Sequence, residues 1–64
     1  METETITITN ADIEKGYIEF TGSKHVNACN MSYFPDTPQK GNQYVLEFNP
    51  EDRQITITLP LILD

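Results

Sequence analysis

The chain of 64 residues predicts a mainly β fold. We expect about five short strands, mostly antiparallel, curled into an open barrel or a compact sandwich, with one short helix after the first strand. Three observations carry this. Ile6-Thr7-Ile8-Thr9 recurs as Ile55-Thr56-Ile57-Thr58, and both copies alternate apolar with polar β-branched residues, the period of a half-buried strand. Residues 17–20 and 43–48 alternate in the same way. Gly22-Ser23, Gly41-Asn42 and Asn49-Pro50 then punctuate the chain with turn chemistry. The two Ile-Thr segments share nothing in their flanks, so they read as two amphipathic strands, Ile inward and Thr outward, and not as a duplicated unit.

Taken in order, residues 4–9 form the first strand. Thr9 followed by Asp12 resembles a capping box, with Asp where Glu or Gln is usual. Acidic residues early, Lys15 late and Gly16 at the end suit one or two helical turns pinned by Ile13. A second strand covers residues 17–20. Gly22-Ser23 fits a two-residue hairpin turn leading into a third strand, residues 25–33. That turn places Val26 and Ala28 on the face of Tyr17 and Glu19, whereas a longer loop puts them beside Ile18 and Phe20. The two alternatives differ by a one-residue slip.

Residues 34–42, with two prolines and Gly41-Asn42, form a loop, either a plain connection or a carrier of binding residues. Residues 43–48 and 53–59 then form a hairpin around a type I turn at residues 49–52. A four-residue loop of that kind sets Leu46 opposite Ile55 and Tyr44 opposite Ile57, with Phe48 alongside. Pro60 ends the last strand or confines it to an edge. The expected core is Ile6, Ile8, Ile13, Ile18, Phe20, Leu46, Phe48, Ile55, Ile57 and Leu59.

Residues 1–64 make a single domain. A chain this short buries only about 60% of its unfolded surface, and disulfides, metals or association are the usual supports. Cys29 is the only cysteine and His25 the only histidine, so neither an internal disulfide nor a four-ligand zinc site can be assembled. No metal and no cofactor is expected. Association remains, as a homo-oligomer or on a larger partner.

The first residues, METETITI, lack the basic start of a secretory signal. The longest apolar stretch, residues 59–63, is too short to cross a bilayer. With one free cysteine, these features predict a cytoplasmic setting.

Ten acidic side chains face only four basic ones, scattered at positions 15, 24, 40 and 53. That balance argues against direct binding of nucleic acid, whose phosphates need clustered Lys and Arg, and against an anionic membrane surface. Excess acid can serve solubility alone. It can also form a surface that docks on a basic groove.

Catalysis is not expected. His25 and Cys29 share a strand face in the predicted third strand but lie roughly 13 Å apart along it, beyond hydrogen-bond reach. Glu51 and Asp52 belong to a solvated turn tip, a setting that does not suit acid–base catalysis. No glycine-rich phosphate loop, nucleophile elbow or zinc motif is present. The expected function is a non-catalytic acidic protein-binding module, a stoichiometric inhibitor and nucleic-acid mimic that occupies a basic site of a larger protein such as a nuclease complex. Its expected contact residues are Glu19, Glu47, Glu51, Asp52 and Asp36, with Tyr17 and Tyr33 as aromatic anchors. The alternative is a structural subunit that self-associates through sheet edges. In that reading the first and last strands are the edges, with Glu2, Glu4 and Pro60 as their protection.

Overall fold

The structure is a computed structural model that describes residues 2–60. Five strands, β1 (Glu2–Asp12), β2 (Tyr17–Thr21), β3 (Ala28–Asn30), β4 (Gln43–Asn49) and β5 (Gln54–Thr58), form one antiparallel sheet in the order β3-β2-β1-β4-β5. The sheet curls into a half-barrel. The mainly β expectation holds, and the Ile-Thr alternation has its expected meaning. Ile6, Ile8 and Ile57 are buried, while Thr5, Thr9, Thr56 and Thr58 are exposed.

The helix expected after the first strand does not form. β1 runs on to Asp12, and residues 10–12 pair with residues 17–19 of β2. Only residues 13–16 are left, and they make the turn, with the Lys15 N–H donating to Asp12 Oδ1 at 3.2 Å and Gly16 in the left-handed region at φ 71°. One or two helical turns are marginal alone, and strand pairing satisfies the same backbone groups. Asp, Lys and Gly are therefore turn residues here. The only helical piece described is the 3-10 turn Met31–Tyr33, capped by Asn30, whose side chain accepts the Ser32 N–H at 2.9 Å.

A bulge at Thr9 lets Ile8 pair with Phe20 while Asn10 pairs with Glu19. The extra residue exchanges the faces of β1 beyond it. Ile6 and Ile8 point inward before the bulge. Ala11 packs on the core after it, and Asn10 and Asp12 join the outer face.

The third strand is three residues long, not the nine of residues 25–33, and no two-residue turn precedes it. Residues 22–27 form a longer loop. Ile18 pairs with Cys29 and Glu19 with Ala28, a displacement of two residues that keeps Ala28 on the face of Tyr17 and Glu19. Val26 falls outside the ladder and packs against the core.

In the last hairpin the faces are as expected, and the register moves by two. Leu46 lies opposite Ile57 and Phe48 opposite Ile55. The loop comprises residues 50–53 and closes with the Arg53 N–H donating to the Asn49 carbonyl at 2.7 Å. Arg53 itself takes a left-handed φ of 60°, a conformation that costs a non-glycine residue about 1–2 kcal/mol.

β1 is the central strand, so only one of the two expected edges is real: β5 is an edge and β1 is not. The link from β3 to β4 must therefore cross the concave side of the sheet. On its way it buries Phe34 and Pro38. Phe34 meets Phe20 and Tyr44 edge-on, at centroid distances of 6.4 and 5.0 Å. The loop expected as either a plain connection or a carrier of binding residues supplies a second layer of the core. Phe34 and Tyr44 thus join the core, while Ile13 and Leu59 are exposed, because Ile13 sits in the turn and Leu59 follows the end of β5. Phe48 and Ile55 are partly buried against the core. The apolar run of residues 59–63 lies mostly outside the described residues.

Candidate functional site

All the charges borne by strands are acidic: Glu2, Glu4 and Asp12 on β1, Glu19 on β2 and Glu47 on β4. The four bases lie in loops: Lys15 between β1 and β2, Lys24 between β2 and β3, Lys40 in the crossover and Arg53 between β4 and β5. The sheet divides the five strand carboxylates by face. Asp12, Glu19 and Glu47 point outward, among Thr3, Thr5, Thr7, Thr21, Thr56 and Thr58. Glu2 and Glu4, in register with Phe48 and Leu46, belong to the concave side.

The expected contact residues do not form one patch. Glu47 lies opposite Thr3, and Glu19 opposite Asn10, seven residues further along β1. At about 3.3 Å per residue this separates them by roughly 20 Å. Glu47 shares its end of the sheet with Glu51 and Asp52 in the β4–β5 loop. Glu19 shares the other end with Tyr17 and with Asp12, to which Tyr17 is paired. Tyr17 is half exposed on the outer face, as an anchor must be.

Two expected contacts have structural duties. Asp36 accepts the Tyr44 hydroxyl at 2.6 Å, tying the crossover segment to β4. Burial, aided by that hydrogen bond to Asp36, raises the Tyr44 pKa. Asp52 Oδ1 accepts the Gln54 N–H at 3.0 Å and Asn49 Oδ1 accepts the Glu51 N–H at 3.1 Å, so both ends of the β4–β5 loop are fixed from within. Tyr33 is exposed in the 3-10 turn after β3, where it lines a groove of about 350 Å³ together with Val26, Ala28, Cys29, Gln54 and Ile55.

Sequence reasoning missed the most organised polar cluster. Glu4 accepts the Ser23 hydroxyl at 2.6 Å and the Lys24 N–H at 2.8 Å. Those two bonds, the hydroxyl first, hold the Glu4 pKa below the usual glutamate range. His25 stacks on Phe48 at 4.0 Å, nearly parallel, and its Nε2 lies 3.1 Å from Glu2 Oε2. The residues 22–27 loop is thereby clasped across the concave end of the sheet. Glu2 and Glu4, expected as guards of an edge, are its anchors. The only available signal was a pair of acids at inward-facing positions of a strand, which requires partners.

His25 and Cys29 have separate surroundings. Cys29 sits opposite Ile18, and burial pushes its thiol up to about 11. Such a thiol is a poor nucleophile at neutral pH. Among the described residues no three His, Cys, Asp or Glu side chains stand close enough to hold a metal ion, and no helix is long and apolar enough to cross a membrane.

No family model matches the chain, and comparisons with curated proteins and with solved structures return no match.

Proposed function

We propose that this protein is a non-catalytic acidic binding module that docks its outer sheet face and β4–β5 loop on a basic site of a larger protein. The observation that carries this reading is the segregation of charge: every charged residue on the strands is acidic, and every base is in a loop. A rigid sheet holds carboxylates at fixed spacing, which suits a partner whose cations are also fixed, such as a groove that normally grips nucleic acid. In that setting the module is a stoichiometric inhibitor that competes with the nucleic acid. Glu47, Glu51 and Asp52 form one contact, and Glu19 with Tyr17 forms a second at the opposite end. A single free cysteine suits a reducing, cytoplasmic compartment.

The test is capture from host extract with the wild type, with Glu47→Lys/Glu51→Lys/Asp52→Lys and with Glu19→Lys, followed by salt elution and competition with duplex DNA. The expected result is a basic, nucleic-acid-handling protein that elutes at moderate salt, is displaced by DNA and is lost from the triple variant. Capture that survives charge reversal in variants with unchanged circular dichroism would overturn the proposal.

A further inference from the structure

The two edges of the sheet are built differently. β3 is three residues long and is closed off by the 3-10 turn that follows it. Short edge strands resist pairing with other chains. β5 has five residues, Gln54–Thr58, with no charge, no proline and no bulge in its ladder with β4. Among the described residues it pairs only with β4, and its Gln54 end borders the open groove between the sheet edges. Among the described residues, none of those protections lies along its ladder.

The direction of its free backbone groups follows from the ladder. The Asn49 carbonyl accepts from Arg53, on the β5 side, and the Asn42 carbonyl accepts from Ile8, on the β1 side. Alternation along β4 then makes Asn49–Gln54, Glu47–Thr56 and Val45–Thr58 the hydrogen-bonded pairs. Ile55 and Ile57 therefore turn their N–H and C=O groups away from β4, toward the unpaired edge.

We propose that β5 is a self-recognition edge, which pairs antiparallel with β5 of a second copy about a two-fold axis at Thr56. This register uses only residues of β5. Ile55 exchanges both backbone hydrogen bonds with Ile57 of the second copy, and the symmetry repeats the exchange. Gln54 then lies opposite Thr58, and Thr56 opposite its own copy. Each residue meets one from the same sheet face, so Ile meets Ile on the concave side and Thr or Gln meets Thr on the outer side. The occupant is a second copy because the strand is complementary to itself, the condition for a closed two-fold interface. The pairing is independent of the acidic-face reading, and salt affects the two in opposite directions. Screening relieves repulsion between two copies of net charge −6 and so favours this dimer, whereas it weakens docking on a basic partner.

The experiment is sedimentation equilibrium of the full chain from about 1 μM to 1 mM, a range that covers weak association, at low and high salt. The expected result is a mass that rises from 7.3 kDa toward twice that value, more readily at high salt. Thr56→Glu sets two carboxylates face to face on the axis, each beside the Glu47 of its own copy. It should weaken association at least tenfold while leaving the exposed strand folded by circular dichroism. In a Cys29→Ser background, Thr56→Cys should form an intermolecular disulfide on mild oxidation, because partners in non-hydrogen-bonded pairs have adjacent side chains. Thr58→Cys should not, since the register holds it roughly 13 Å from its symmetry mate. A monomer at every concentration would overturn the proposal. So would a dimer indifferent to Thr56→Glu, or one cross-linked as well through position 58 as through position 56.

Discussion

Gly22→Ala tests how the clasped loop is laid against the sheet. Gly22 has φ +108°, and a Cβ there would stand 2.3 Å from the Thr5 carbonyl oxygen and 3.3 Å from the Ile6 Cα. Both neighbours are backbone atoms of the central strand, which cannot yield as a side chain tip can. The backbone conformation alone costs a non-glycine residue about 1–3 kcal/mol. Moving the loop off β1 adds about 1–3 kcal/mol, as overpacking does elsewhere. Against a total stability of roughly 3–10 kcal/mol for a domain of this size, the loss is severe. The melting temperature should fall by about 10 °C or more. Gly41→Ala is the matched control: its φ is +92°, and a Cβ there meets nothing within 4 Å. It should cost only the conformational part. Urea unfolding followed by circular dichroism gives both numbers. Equal losses in the two variants would refute the reasoning, because the Thr5 contact would then contribute nothing.

Two other predictions follow from the polar contacts. The Glu4 pKa is depressed in the folded state, so its contribution to stability is full above the ordinary glutamate range and fades as pH falls through the folded value. Glu4→Gln should flatten that acid limb and speed hydrogen exchange at the Lys24 amide, both measurable by NMR; an unchanged limb would mean that the Ser23 and Lys24 bonds do not set it. Tyr44→Phe removes the hydroxyl that donates to Asp36 at 2.6 Å and should cost about 1–2 kcal/mol. A double-mutant cycle with Asp36→Ala, which removes the acceptor, checks it, since additive losses would mean that the bond does not tie the crossover to β4.

Much of this protein was legible in its sequence because β periodicity is local. Alternating Ile and Thr place one face of a strand inside wherever that strand lies, so Ile6, Ile8, Ile18, Phe20, Leu46 and Ile57 are correctly inward. The β4–β5 hairpin kept its faces even though its register moved by two, because a shift of two preserves the side-chain period. The scarcity of bases, and the lone cysteine and histidine, likewise needed no fold to be read.

Strand order belongs to the tertiary structure alone. No local signal puts the first strand in the centre of the sheet, and that placement forces the crossover to cover the concave side and bury Phe34 and Pro38. The residues 9–16 segment carried true capping chemistry, but pairing of residues 10–12 with β2 outweighed a helix too short to hold itself. The expected acidic site was one set of residues in sequence and became two ends of a face in space, because Glu19 and Glu47 flank the same long strand at opposite ends. Composition determines that this chain is acidic and β-forming. Only the sheet decides which carboxylates can meet a partner and which, like Glu4, are held by the protein itself.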